Sequence, residues 1–469
     1  MPRSARPVHL PLDPTTGPEG SVPERLAAQI RALVAEGTLR PGDPLPSSRA
    51  LAERLGVSRG SVVGAYLQLS AEGYLAAVRG SGTVVDPALA LLPRHPRAGA
   101  PVASPTSDLS RAAPAPIDLR PGASRGLISL TSPAWRRAWR DAAASAHGVR
   151  AEPLGSRALR EVLAERLRRV RAVRASAEHV AVTAGTRDGL MLLLTALQQR
   201  HGRPLTVGFE SPGYPSLRRI PHVRGDRVVD VPVDGQGLDP ERLPRGLDVL
   251  VVTPSHQHPL GGSLPVGRRL AILERARAEG FVVVEDEHTA EWRWEGAPLP
   301  ALAGLDDPAD PCTVLLGSLS SLADPGIVAG HLLAPAWLLE SLASVRRAVG
   351  TPLGAVPQAA MAAFVGYGAL DRQLQSARPG HRRRLQLLRD RLSEVPGLSV
   401  QDVPGGLAAI MLADAPVGPL LERAARAGVR VESLDRYWAD RAPRPGIVVG
   451  FGVPDDDLDE GLRRLVAAL

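Results

Sequence analysis

Eleven residues between positions 183 and 321 have the types needed to hold a small polar ligand: Thr183, Gly185, Thr186, Tyr214, His256, His258, Asp286, His288, Ser318, Ser320 and Ser321. Thr183-Ala184-Gly185-Thr186 falls between a strand-like and a helix-like segment, where free backbone N–H groups and the helix dipole can cradle a phosphate. Three histidines and an aspartate, spaced His256-x-His258 and Asp286-x-His288, have the donor types of a metal site. Ser321 with a histidine would suit a hydrolytic nucleophile, but no Gly-x-Ser-x-Gly elbow surrounds it. One chemistry is excluded outright. All 56 basic side chains are arginine and none is lysine, and a guanidinium is always protonated and cannot form a Schiff base as a neutral primary amine does. Richness in Ala, Arg, Gly and Pro, as from a GC-rich coding bias, accounts for the general depletion. It leaves the α-amino group of the N-terminus as the only primary amine.

These residues lie among alternating apolar strands and amphipathic helices. Strand-like runs are Val180 to Thr183, Leu205 to Phe209, Val228 to Val233, Val249 to Thr253, Phe281 to Glu285, Val314 to Gly317 and Ile327 to Leu333. Helices fit Ser156 to Val173, Arg187 to Gln199 and Val266 to Glu279. The alternation predicts an α/β domain over residues 117–469, with a mostly parallel sheet covered on both faces. From about Pro335 onward, longer helices and three short strands predict a small C-terminal α+β subdomain.

Residues 1–86 read differently. Leu26, Ile30, Leu33 and Val34 share one helix face between Pro23 and Gly37. A second short helix fits Ser47 to Leu55, capped by Ser47 or Ser48. After Gly56-Val57, Ser58 caps a third helix with Val62, Ala65, Tyr66 and Leu69 as its buried stripe. Two short helices across a glycine turn make a helix-turn-helix, whose second helix would offer Ser58, Arg59, Gly60 and Ser61 to a major groove. Two β runs around Arg79-Gly80-Ser81-Gly82 read as a wing. Residues 1 to 85 hold nine Arg against seven Asp or Glu, so non-specific attraction to DNA from this module is modest. Residues 87–116 are rich in Pro, Ala and Ser and read as a linker.

The bulk properties agree with a protein of about two or three domains. The chain has 469 residues, a formal charge of +7 and 44% hydrophobic residues, with an isoelectric point near 10.4. One cysteine, Cys312, excludes an internal disulfide or Cys-cluster zinc site. No apolar leader or run of about 18 apolar residues is present, so a cytoplasmic protein without membrane contact is expected.

The run from Leu45 to Val85 resembles a winged helix of the GntR family. Residues 117–469 resemble a fold-type I aminotransferase, so the whole chain is similar to the MocR subfamily of GntR regulators. That resemblance implies that Ser48, Arg49, Ser58, Arg59, Ser61 and Arg79 meet phosphates or base edges of a double-stranded operator, with Gly80 letting the wing approach. It implies a pyridoxal phosphate site in which Gly185 and Thr186 cradle the phosphate, Tyr214 and His256 flank the ring, and Asp286 pairs with the pyridinium nitrogen. The loops carrying the histidines are accounted for in this way, and no metal is expected. Departures from the family are equally specific. His288 stands where the family has tyrosine, Ser321 where it has the Schiff-base lysine, Val328 where an arginine meets the phosphate, and Val448 where an arginine clamps a substrate carboxylate. The pocket is therefore expected to lack strong anion anchors and to be catalytically dead. The expectation is a homodimeric DNA-binding regulator whose aminotransferase-like domain pairs protomers and senses an unidentified small-molecule effector, with no covalently bound cofactor. The alternative is a regulator that binds pyridoxal phosphate, or its Schiff base with an amino acid, weakly and non-covalently through Asp286. A working aminotransferase comes last.

Overall fold

The computed structural model describes residues 10–16, 20–78, 82–91, 116–122, 132–145, 152–293, 299–393, 395–401, 403–440 and 442–468. They divide into two compact units, Met1–Leu109 and Ser110–Leu469.

In the first unit α1 (Val22–Ala35), α2 (Ser48–Leu55) and α3 (Arg59–Ala71) precede a hairpin of β1 (Leu75–Val78) and β2 (Gly82–Val85). Glu24 accepts the Ser21 N–H at 2.7 Å, so the first turn of α1 is boxed. Ser47, not Ser48, caps α2 by accepting the Ala50 N–H at 3.2 Å, and Gly56 closes that helix at φ +66°. Ser58 caps α3. Leu26, Ile30, Leu51, Val62, Ala65 and Leu69 meet in one core. The α3 stripe is the expected one.

The second unit runs β3 (Ile117–Asp118), α4 (Pro133–Ser145), α5 (Arg157–Arg171), β4 (Val180–Thr183), α6 (Gly185–His201), β5 (Thr206–Ser211), α7 (Pro215–Arg224), β6 (Arg227–Asp234), β7 (Gly237–Leu238), β8 (Val249–Val252), α8 (Val266–Glu279), β9 (Val282–Asp286), β10 (Thr313–Ser318) and β11 (Gly330–Leu333). The strands form an eight-stranded sheet in the order β4-β11-β10-β9-β8-β5-β6-β7. Strands β10, β9, β8, β5 and β6 run parallel to one another, while β11 runs antiparallel between β10 and β4, and β7 antiparallel to β6. Alternation along β8 shows why both faces are covered. Val249 and Val251 pack with α6 and α9 (Ala336–Val349), whereas Leu250 and Val252 pack with Ile272 and Leu273 of α8. The carboxyl ends of the parallel strands thus share one edge, where an open α/β sheet presents its ligand loops.

The C-terminal lobe follows with α10 (Ala355–Gly366), α11 (Ala369–Ser393), β12 (Leu398–Val400), β13 (Ala408–Ala413), α12 (Gly418–Arg426), β14 (Val429–Arg430), β15 (Glu432–Ser433), β16 (Gly446–Gly450) and α13 (Asp455–Ala467). Among the described residues it has five short strands, where the sequence predicts three. Four make a sheet in the order β12-β13-β16-β15, and β14 pairs with β3. The expected strand Ile327 to Leu333 is shorter, because Pro325–Ile327 forms a single 3₁₀ turn and Val328 takes a left-handed conformation at φ 47° before Gly330.

Candidate functional site

A cavity of about 370 Å³ opens at the carboxyl edge of the large sheet, a size typical of small-molecule sites. Gly185, Thr186, Tyr214, His256, His258, His288, Ser318, Ser320 and Ser321 all line it, with Pro121, Thr289, Val328 and Leu407. Asp286 does not. It ends β9 with 4% of its surface exposed, and its Oδ1 has no hydrogen-bond partner among the described residues. Burial pushes the Asp286 carboxyl up to about 7, and the charges of Glu287 and Glu210 add to the shift.

The histidines form an aromatic wall. Tyr214 stacks on His288 with centroids 5.3 Å apart, and His258 meets Tyr214 edge-on at 5.3 Å and Tyr437 at 5.2 Å. Burial holds His256 and His288 down at about 4 and His258 at about 3, so all three are neutral near pH 7. His288 Nδ1 and His258 Nε2 are buried without a hydrogen-bond partner among the described residues. Among the described residues no group of three or more His, Cys, Asp or Glu is placed to hold a metal.

At the lysine position the three serines are engaged locally. Ser318 Oγ accepts the Ser321 N–H at 3.0 Å, Ser321 Oγ donates to the Ser318 carbonyl at 3.1 Å, and Ser320 Oγ accepts the Ala329 N–H at 3.0 Å. Ser321 has a carbonyl, not a histidine, as the acceptor of its proton, so the hydrolase reading lacks its base. Val448 is fully buried in β16 beside Ile410, Leu434 and Tyr437, off the cavity lining.

The cradle at α6 is built by close approach. Gly185 adopts φ +83°, and a Cβ on Gly330 would come within 2.8 Å of Gly185 Cα and 2.5 Å of the Gly317 carbonyl oxygen. Asp188 accepts the Ala184 N–H at 2.9 Å and pairs with Arg346. The expectation of a pocket without a strong cation needs correction, because Arg187 also lines the cavity. Sequence reading started this helix at Arg187. It begins at Gly185, which puts Arg187 in the first turn. Glu210 and Glu287 also went unnoticed. Glu210 is buried beside Thr253, accepting its N–H at 3.2 Å, and burial pushes its carboxyl up to about 7. Glu287 pairs with the fully buried Arg171, which donates to Ser255 Oγ at 2.9 Å.

In the first unit Arg49 and Arg59 are exposed and make no hydrogen bond or ion pair among the described residues. Ser58 Oγ accepts the Ser61 N–H at 3.0 Å and lies 2.9 Å from Ser61 Oγ, so these hydroxyls hold the helix start. Ser48 is half-buried in the first turn of α2, and Gly60 is exposed in that of α3. Arg79 and Gly80 lie outside the described residues.

The chain matches the family model of bacterial regulatory proteins of the gntR family over residues 23–85 and that of class I and II aminotransferases over residues 115–431. The crystal structure of a multiple substrate aminotransferase from Thermococcus profundus has the same fold, with a TM-score of 0.66 at 21% identity over 76% of this chain and 91% of that one. The chain is thus a transcription regulator with a helix-turn-helix unit and an aminotransferase-like unit. It is 44% identical to the HTH-type pyridoxine biosynthesis transcriptional regulator PdxR of Corynebacterium glutamicum, over 93% of each chain, and 29% identical to the probable rhizopine catabolism regulatory protein MocR of Rhizobium meliloti, over 95% of this chain and 93% of that one. It belongs to the MocR-type subfamily of GntR regulators.

An aminotransferase fold normally binds pyridoxal phosphate, and the residues present fit that group in part. Covalent attachment does not fit, since Ser321 lines the cavity in a chain without lysine. Non-covalent attachment fits the open first turn of α6, while Asp286, whose Oδ1 has no hydrogen-bond partner among the described residues, lies off the cavity lining.

Proposed function

We propose that the aminotransferase-like unit is a catalytically inactive sensor that binds a vitamin B6 phosphate without covalent capture and pairs two copies of the chain. The DNA-binding head is assigned to residues 1–86 and the effector domain to residues 117–469, joined by residues 87–116. Ser321 carries the reading: its hydroxyl donates to the Ser318 carbonyl where the family's Schiff-base lysine stands. An alcohol there cannot exchange amines with a carbonyl ligand. The Gly185 and Thr186 amides would take the phosphate, and Asp286 would serve the ring nitrogen only if the ligand reached past the lining that now covers it. The ring would lie between Tyr214 and His256. Bound, the vitamer supplies only recognition, and neutral histidines give the ring an uncharged wall. The Corynebacterium glutamicum relative is a pyridoxine biosynthesis transcriptional regulator, which supports an effector of this class. Such a ligand would act by shifting the population of paired heads competent for an operator.

Borohydride reduction tests the reading. Purified full-length protein is incubated with pyridoxal phosphate, reduced, digested and analysed by mass spectrometry. Binding that saturates is expected, with no pyridoxyl group trapped on any peptide of the second unit. Failure of the full-length protein to saturate in a calorimetric titration with pyridoxal phosphate overturns it.

A further inference from the structure

We propose that Arg187 is the phosphate-side cation of this cavity, replacing from the first turn of α6 the positive charge absent at Ser321 and Val328, and that it makes the site selective for phosphorylated over unphosphorylated ligands. The proposal rests on the preceding reading that the cavity takes a vitamin B6 phosphate.

Four observations support it. Arg187 lines the cavity together with Gly185, Thr186 and Val328. It follows the cradle by one residue, so its charge adds to that of the open helix N-terminus. Three other buried arginines are committed elsewhere: Arg171 to Glu287, Arg166 to Glu291 and Asp371, and Arg346 to Asp188. Arg187 makes no ion pair or hydrogen bond among the described residues. Secondly, the one carboxylate in that turn is already neutralised, since Asp188 takes the Ala184 N–H and the Arg346 guanidinium. An arriving dianion meets no uncompensated charge of its own sign there. Thirdly, the histidines of the lining are held neutral by burial, and the Arg187 charge itself lowers His288 further. They can donate hydrogen bonds but supply no charge. Fourthly, His288 Nδ1 and His258 Nε2 are buried on this lining without a hydrogen-bond partner among the described residues, so the wall is built to bond something beyond them.

Amine vitamers make the cleanest probes, because pyridoxamine phosphate and pyridoxamine cannot condense with the N-terminal amine or with an introduced lysine. Calorimetry on the full chain should show wild type preferring pyridoxamine phosphate. Arg187→Gln should lose about ten- to a hundredfold of its affinity for the phosphate form, as expected for one charge-assisted contact. Its affinity for pyridoxamine should move by less than about threefold, and Arg187→Lys should recover most of the loss. An unchanged unfolding midpoint for Arg187→Gln ties the loss to the contact. If Arg187→Gln binds pyridoxamine phosphate as tightly as wild type, the assignment of Arg187 is wrong and the sensor reading survives. If wild type binds neither vitamer, both fall.

Discussion

Asp286 keeps a buried carboxyl oxygen without a hydrogen-bond partner among the described residues, and burial raises its carboxyl to about 7. In an unfolded chain the same group titrates near 3.9. The folded state therefore holds the proton more tightly, so its stabilising effect is full below about pH 4 and disappears as the pH climbs through about 7. Asp286→Asn, neutral throughout, should make the unliganded second unit more stable than the parent above about pH 7, by roughly 2–4 kcal/mol, and no different near pH 4. Urea unfolding at the two pH values checks this. A variant no more stable at the higher pH would mean that something in the protein already serves the charge. The absence of lysine was legible from composition alone, and Ser321 from its place in the Gly317 to Ser321 run. Arg187 was not, because its meaning depends on a helix starting two residues earlier than the apolar periodicity suggests. That Asp286 lies off the lining was equally hidden, since spacing along a strand cannot say which side chains a cavity reaches.

Helix α3 shows at the next scale how capping and recognition divide among neighbouring residues. Ser58 and Ser61 bond to each other and to the helix start, while Arg59 is exposed and without a partner among the described residues. Arg59→Ala should weaken operator and random DNA alike and reduce the slope of log affinity against log salt by about one, as for loss of a single phosphate contact. Ser58→Ala should leave that slope unchanged and cost the head ~1 kcal/mol of stability. Titrations by anisotropy over a salt series separate the two. An unchanged slope in Arg59→Ala would remove that residue from the DNA face. The buried stripe of α3 and the strands of the large sheet could be read from periodicity, because their apolar faces are continuous. The start of β11 could not. Ile327 and Val328 have strand-forming side chains, yet Pro325-Gly326 turns the chain first and leaves Val328 left-handed, a conformation costly for a β-branched residue. Strands β14 and β15 of the C-terminal lobe span two residues each, too short for alternation to announce them.

The two units differ most in how they carry titratable groups. Burial holds His256, His258, His288, His331 and His381 well below the ordinary histidine value, and all five lie in the second unit. No described residue of the first unit is histidine. A histidine whose folded value is lowered to about 4 takes up its proton in the unfolded chain first, so stability is lost as the pH falls from about 6.5 towards 4. The nearly inaccessible His331 and His381 each contribute on the order of 3 kcal/mol to that loss. Glu210, Glu285 and Asp286 work in the opposite sense over the same window, because burial raises all three. Five groups against three leaves a net fall. The second unit should therefore unfold at lower urea as the pH drops from about 6.5 to 5, while the head keeps its midpoint until its exposed carboxylates protonate below about 4. All six tryptophans, Trp135, Trp139, Trp292, Trp294, Trp337 and Trp438, belong to the second unit, so tryptophan fluorescence follows that unit alone. Amide exchange on head peptides follows the other. Two transitions that separate on acidification are the expected outcome, and a single transition shifting as one at every pH would show that the units share their stability.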